Sequence, residues 1–195
     1  MKKFNHPVSR QDPYPKDWTR LDNFEFRSAL SLIRPLNTVQ NRVGEDGDYI
    51  LQHDLLARFD IDGVTTLIRV PRGMITDLTS VPRLGRVFVS RVGPWLEAAI
   101  LHDYLYIAWQ DVNGLGPWER DRLFADKLFL IAMEASNVSW LRRWTIYLAV
   151  RWFGQSAYVL RNEERYVSLD DKALKGGLPF ELPETRDRSD RSSRA

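Results

Sequence analysis

The apolar run Ala98-Ala99-Ile100-Leu101-His102-Asp103-Tyr104-Leu105-Tyr106 is interrupted by a histidine and an aspartate that stand side by side. The next apolar run is interrupted in the same way by Asp126. A charged group on a buried face is costly unless it is paired or binds a metal ion. These residues therefore predict a functional site, or at least a buried polar network, between two neighbouring helices.

The spacing of apolar residues predicts three helices in the second half of the chain. The first begins at Pro94 and ends before the breaker 113–117, the second runs from about Trp118 to Ala135, and the third runs from Ser139 to Phe153, where Gly154 follows. A loop of about a dozen residues joins the first two helices, which favours antiparallel packing.

Residues 24–70 are predicted to form strands. Tyr49–Leu51 is a short strand after a turn at 45–48, and residues 56–61 alternate between apolar and polar. Asp62 and Gly63 then form a two-residue turn into the β-branched segment 64–70, which is typical of a hairpin. Residues 73–86 are predicted to be a loop.

Composition excludes several classes of function. The chain has 195 residues and three histidines. It has no cysteine, so disulfide scaffolds, thiolate zinc sites and cysteine nucleophiles are excluded. A formal net charge of +2 gives no reason to expect nucleic-acid binding. We expect no signal peptide, because no apolar segment follows the basic start, and no transmembrane segment.

The chain is expected to divide into one domain and two arms. Residues 1–22 form an extended N-terminal arm, residues 23–175 a single α+β domain that is β-rich over 24–70 and helical over 94–154, and residues 176–195 a polar C-terminal tail. Such polar segments are disordered alone in water. We therefore expect residues 1–20 and 176–195 to dock on partner molecules.

The His–Asp pair suggests a chemistry. His102 and Tyr106 are i, i+4 neighbours, whereas Asp103 points about 100° away from His102. Asp126 lies on the apolar face of the second helix and can reach His102. A histidine oriented by a buried carboxylate is a general base, and Asp103 could ligate a hard cation such as calcium that polarises a carbonyl group. The alternative is a structural lock, in which His102, Asp126 and Tyr106 only satisfy one another.

Two further features leave alternatives open. Asp77, in Thr76-Asp77-Leu78-Thr79-Ser80-Val81-Pro82, is either an additional metal ligand or the residue of an Asx-turn. The third helix is rich in tryptophan and arginine; its aromatic residues are Trp140, Trp144, Tyr147, Trp152 and Phe153. We interpret that helix mainly as core, with arginine stems covering the rim, against the alternatives of a partner interface or a lipid surface.

The ordered motifs resemble those of a bacteriophage-associated uncharacterised family, domain of unknown function 1353. They are residues 76–82, residues 98–106, Arg122 with Ala125-Asp126, and Val150-Arg151-Trp152-Phe153-Gly154. The resemblance covers most of residues 45–158 and implies a phage or prophage origin, with a location in the virion or the host cytoplasm. It implies no established activity.

Residues 93–133 are also similar to the His–Asp helix pair of phospholipase A2 enzymes. That resemblance implies that His102 activates water, that Asp103 is a calcium ligand, that Asp126 orients His102 and that Tyr106 supports the network. The sequence departs from those enzymes because no Tyr-Gly-x-Gly calcium loop precedes the pair; Gly85 and Gly93 are the nearby glycines.

The sequence thus predicts an α+β fold, with a small antiparallel β region packed on a three-helix unit and extended arms at both ends. The expected function is that of a phage virion protein of the tail or neck, which docks on other virion proteins through its arms and carries a His–Asp hydrolase-like centre. The alternatives are a calcium-dependent, phospholipase-A2-like esterase acting on host envelope lipids, and a non-catalytic structural protein. The sequence leaves open whether the protein is an enzyme.

Overall fold

The computed structural model describes residues 12–33, 49–76, 93–161, 165–167 and 169. Within them the chain forms an α+β fold in which two small antiparallel sheets accompany a helical unit, as the sequence predicts. The strands are β1 (Leu21–Phe26), β2 (Leu32–Ile33), β3 (Tyr49–Leu51), β4 (Leu55–Ile61), β5 (Val64–Val70) and β6 (Ile75–Thr76). The predicted turn at 45–48 lies outside the described residues.

The hairpin of β4 and β5 forms the larger part of the first sheet, whose strand order is β1-β4-β5. Leu55 pairs with Val70 and Ala57 with Ile68, so the alternating apolar residues of both strands face the core together. Asp62 and Gly63 have φ angles of 50° and 83°, which match the left-handed turn that a two-residue hairpin needs. The predicted hairpin is therefore confirmed.

The second sheet has the order β2-β3-β6 and pairs short strands only. Its β6 strand, Ile75–Thr76, lies within the segment 73–86 that was predicted to be a loop. The loop prediction is therefore wrong for these two residues. A two-residue strand carries no alternation for a sequence pattern to detect. Its pairing with Tyr49 and Ile50 comes from tertiary contact alone.

The helices are α1 (Leu96–Ile107), α2 (Glu119–Ala135), α3 (Trp140–Phe153) and the short α4 (Gln155–Val159), with a 3₁₀ turn over Ala108–Gln110. The three predicted helices are present, whereas α4 was not predicted. The α2 helix is central, because it packs on α1, on α3 and on β1. A main core lies between the sheets and the α1–α2 pair, and a second core lies where α1 and α2 meet α3.

Residues 12–20, within the predicted N-terminal arm, pack on the domain. Tyr14 is buried and its hydroxyl donates a hydrogen bond to the Leu105 carbonyl, while the Trp18 ring contacts the Phe124 ring edge-on at 5.8 Å. The segment has no regular secondary structure before β1 begins at Leu21. The rest of that arm, residues 1–11, and the predicted tail 176–195 lie outside the described residues.

The prediction that the aromatic residues of α3 belong mainly to the core is wrong. It buries Ile146, Tyr147 and Val150 against the rest of the helical unit, but Trp140, Trp152 and Phe153 are exposed. The reason is geometric: α3 is a peripheral helix with one packed side, and its aromatic residues are distributed around the whole circumference. Within the described ranges, no helix has both the length and the apolar character needed to cross a bilayer.

Candidate functional site

His102 lies in the seam between α1 and α2. Its Nε2 is 2.8 Å from Oδ1 of Asp126, so the structure contains the contact that the helical spacing predicts. The imidazole stacks on the Phe129 ring at 4.6 Å and lies 4.1 Å from the Tyr106 ring, measured between centroids. Neighbouring positions on α1 and α2 are filled by Ala98 and Ala125, which are both buried. These contacts hold the imidazole in one orientation.

Asp126 is the centre of the polar cluster and has no exposed surface. Its Oδ1 accepts hydrogen bonds from His102 and from the Tyr106 hydroxyl, the latter at 2.8 Å. Its Oδ2 accepts a hydrogen bond from Nη1 of Arg151 at 2.7 Å, and Nη1 of Arg122 lies 3.8 Å away. Both carboxylate oxygens are therefore satisfied, as a buried carboxylate requires.

The two arginines were not identified as site residues from the sequence. Both bind Glu119: Nη2 of Arg151 lies 2.7 Å from Oε1, and Nε of Arg122 lies 2.9 Å from Oε2. Arg122 also donates a hydrogen bond to the Arg151 carbonyl at 3.2 Å. A local signal existed for Arg122, which precedes Asp126 by four residues on one helix face. No local signal existed for Arg151, because it lies on another helix 25 residues further along the chain.

The pKa of Asp126 lies below its ordinary value. Burial on its own raises that pKa, but the hydrogen bonds from His102, Arg151 and Tyr106 outweigh burial. The pKa of the Tyr106 hydroxyl is raised by burial and by the negative charge of Asp126. The pKa of Glu119 is lowered, chiefly by its hydrogen bond with Arg122. Asp126 is thus an ionised carboxylate and Tyr106 a neutral donor.

The charge state of Asp126 fixes the tautomer of His102. An ionised carboxylate only accepts hydrogen bonds, so Nε2 of His102 must carry a proton, and in a ring with a single proton Nδ1 has the lone pair. Within the described part of the chain, Nδ1 makes no hydrogen bond. The His102 side chain keeps 7% of its surface exposed. The ring therefore has one nitrogen, Nδ1, without a hydrogen-bond partner among the described residues.

Asp103 points away from this cluster, as the helical geometry predicts. Its Oδ2 accepts a hydrogen bond from the Thr76 hydroxyl at 2.8 Å, which ties α1 to β6. Among the described residues, no group of three or more acidic or histidine side chains could hold a metal ion. Asp77, the other predicted ligand, lies outside the described residues. A calcium site at Asp103 stays a prediction.

Gly154 allows Tyr106 to reach Asp126. A Cβ atom at this position would lie 2.6 Å from the Tyr106 hydroxyl oxygen and 2.4 Å from the Val150 carbonyl oxygen. The glycine follows α3 as predicted, but its φ of −78° is open to any residue. The glycine is needed because Tyr106 approaches it closely, and helix termination does not require it here.

These observations define an α+β domain with an interhelical His–carboxylate pair that a tyrosine and two arginines surround. The chain belongs to the family described as "Protein of unknown function (DUF1353)", whose sequence profile matches residues 53–150. The matched segment contains His102, Tyr106, Arg122 and Asp126, and Arg151 follows directly after it. No curated protein and no solved structure matches the chain significantly. The predicted family is confirmed, whereas the phage origin and the likeness to phospholipases stay predictions.

Proposed function

We propose that this protein is a phage-encoded virion component whose helical unit hydrolyses ester bonds with His102 as general base. The observation that supports the catalytic part is the orientation of one imidazole: Nε2 is bound by the ionised Asp126, and Nδ1 is left with a lone pair and no partner among the described residues. The virion part is supported by the motif resemblance given above and is independent of this geometry.

In the proposed reaction, a water molecule bound to Nδ1 of His102 attacks the ester carbonyl carbon. Its proton passes to Nδ1, a carbon–oxygen bond forms, and the carbonyl oxygen becomes an oxyanion. When the tetrahedral intermediate collapses, the bond to the leaving alkoxide breaks and the proton on Nδ1 is delivered to that alkoxide. Asp126 stabilises the imidazolium between these two steps.

Arg151 and Tyr106 act as positioning residues in this scheme. Arg151 holds Oδ2 of Asp126 and the Tyr106 hydroxyl binds Oδ1 beside His102, so the carboxylate keeps its Oδ1 directed at Nε2 of the imidazole. In the calcium-dependent form of the proposal, Asp103 would supply one oxygen ligand and the cation would polarise the carbonyl group. Calcium takes six to eight oxygen ligands, so further ligands besides Asp103 would be needed.

The test is hydrolysis of short-chain esters and of phospholipid vesicles by purified protein, with calcium and with a chelator. His102→Ala is expected to lower the rate by about 10²-fold or more, since general-base catalysis contributes that much. The matched control is His53→Ala, which removes an exposed histidine between β3 and β4, outside the His102–Asp126 cluster, and should leave the rate unchanged. Equal background rates for the wild type and both variants contradict the catalytic proposal.

One observation favours a second candidate, a non-catalytic lock. Asp126, on α2, accepts hydrogen bonds from α1 and from α3 and lies 3.8 Å from Arg122 of its own helix, so the cluster also fastens α1, α2 and α3 together. The lock alone predicts that His102→Ala lowers the stability of the protein while no ester is hydrolysed by any variant. Measuring melting temperature and hydrolysis on the same samples separates the two functions.

The virion part has its own test. The protein should be found by mass spectrometry in density-purified particles of the phage that encodes it. Variants that lack residues 1–11 or 176–195 should be excluded from those particles if the arms dock on neighbouring virion proteins. Purified particles that do not contain the intact protein contradict this part of the proposal and leave the catalytic part untouched.

A further inference from the structure

The exposed apolar surface of this protein is concentrated on one segment. Among the described residues, ten large apolar side chains are exposed, and seven of them lie within 140–160. Leu141 and Trp152 are each 71% exposed and Trp140 is 63% exposed. Single exposed apolar residues are ordinary, but a concentration of this kind indicates an interaction surface.

The outward side of α3 carries a continuous row of four residues, which we call the α3 outer stripe: Leu141, Thr145, Leu148 and Trp152. Their spacing of four, three and four residues places them on one face, opposite the buried Ile146 and Val150. The hydroxyl of Thr145, the only side-chain polar group of the stripe besides the Trp152 indole N–H, donates a hydrogen bond to the Leu141 carbonyl at 2.8 Å. The stripe is therefore almost without polar groups that need a partner.

The charges around the stripe are all of one sign within its own segment. Residues 140–161 contain four arginines and no acidic residue. Two of them are paired with acidic side chains of α2: Arg143 with Glu134, and Arg151 with Glu119 and Asp126. Arg142 follows Leu141 by one residue, which places it about 100° to one side of the stripe. Arg142 and Arg161 are exposed and make no ion pair in the described part of the chain. Arg142 lies over the Trp95 ring, 5.2 Å from its centroid.

We propose that the α3 outer stripe lies on the surface of an anionic phospholipid bilayer, with the helix axis parallel to the membrane plane. A protein interface carries about one hydrogen bond per 100–200 Å², whereas acyl chains need none, and the stripe offers almost none. Tryptophan favours the boundary between acyl chains and headgroups, and arginine favours anionic headgroups. The α3 helix is about 21 Å long at 1.5 Å per residue, shorter than a hydrocarbon core of about 30 Å.

The test is co-sedimentation of the full chain with vesicles made of ether-linked lipids, which contain no ester bond. Binding and hydrolysis are thereby separated, so that failure of this proposal and failure of the catalytic one are distinguishable. The wild type is expected to bind vesicles of phosphatidylglycerol and phosphatidylcholine, to bind pure phosphatidylcholine more weakly, and to dissociate as salt is raised. Arg142→Gln is expected to weaken binding and to reduce its dependence on salt.

The double variant Leu141→Glu with Trp152→Glu is expected to weaken binding to the anionic vesicles by about tenfold or more, since it removes two apolar side chains from the contact. Leu67→Glu is the matched control: it changes an exposed leucine on β5 and should bind as the wild type does. The substituted side chains are exposed, so circular dichroism and melting temperature should be unchanged. The single variant Leu141→Glu serves if the double variant does not fold.

Three results would overturn the proposal. The first is a wild type that does not bind anionic vesicles at low salt, and the second is a folded stripe variant that binds them as strongly as the wild type. The third is self-association of the wild type, measured by light scattering and abolished by the stripe variants, without any binding to vesicles. That third result would assign the surface to another copy of this chain.

Discussion

Replacing Asp126 by asparagine tests the central cluster most directly. The change keeps the size of the side chain and removes its charge, so Arg151 loses a carboxylate at 2.7 Å and Arg122 loses one at 3.8 Å. Removing one partner of a buried ion pair costs about 3–5 kcal/mol. Glu119 still binds both arginines, which places the expected loss near the lower end, at about 3 kcal/mol.

This loss can be measured by urea denaturation and by thermal unfolding. For a domain of this size, about 1 kcal/mol shifts the melting temperature by about 2–4 °C, so Asp126→Asn should lower it by about 6–12 °C at neutral pH. The m-value should stay constant, because the variant exposes the same surface on unfolding.

The same variant also predicts a dependence on pH. The pKa of Asp126 is lower in the folded protein than in the unfolded chain, so its ionised form stabilises the fold above the unfolded pKa of about 3.9. That stabilisation is lost as the pH falls through the folded pKa. The difference between wild type and variant should therefore shrink below about pH 4. A variant that melts within about 2 °C of the wild type at neutral pH would refute the reasoning, as would a difference that persists unchanged in acid.

Three further changes test other parts of the site. His102→Ala should lower the free energy of unfolding by about 1–3 kcal/mol, because it removes one donor from the buried Asp126; an unchanged urea midpoint would contradict this. Gly154→Ala should destabilise the protein by about 1–3 kcal/mol through its clash with the Tyr106 hydroxyl, whereas Gly116→Ala, whose Cβ meets nothing closer than 3.4 Å, is the control. Asp121→Asn should stabilise the protein by about 0.5–2 kcal/mol at neutral pH, because Asp121 is buried with an unpaired Oδ2 and burial raises its pKa. A carboxyl group with a raised pKa destabilises the fold only while it is ionised, so the gain from Asp121→Asn should vanish near pH 4. Thermal unfolding at neutral pH and near pH 4 checks this.

Local sequence patterns predicted the elements with a strong period. In the β4–β5 hairpin, apolar and polar residues alternate along the strands, and the turn residues Asp62 and Gly63 accept the positive φ angles that a two-residue turn requires. Neighbouring residues alone therefore specify the hairpin. The helices α1, α2 and α3 were predicted for the same reason. The β6 strand and α4 are too short to show a period, and they form because neighbouring elements give them partners.

Some contacts of the candidate site could be predicted from the sequence, and others could not. His102, Tyr106 and Asp126 could be placed on facing sides of two helices by counting residues, and their contact followed from antiparallel packing. Arg151 could not be predicted, because its guanidinium reaches Asp126 only after α3 has docked on α2.

The solvent exposure of the α3 side chains also could not be predicted from the periodicity of the sequence. The aromatic residues of α3 suggested core, since large apolar side chains are usually buried. Burial depends on how many sides of a helix find a neighbour, and α3 finds one, so Trp140 and Trp152 stay on the surface. Amino-acid order thus specified the longer helices and strands and the inward position of His102 and Asp126, because both depend on residues within a few turns of each other. Docking of the helices determined the contact of Arg151 with Asp126 and the exposed face of α3, because both depend on which distant segments come into contact.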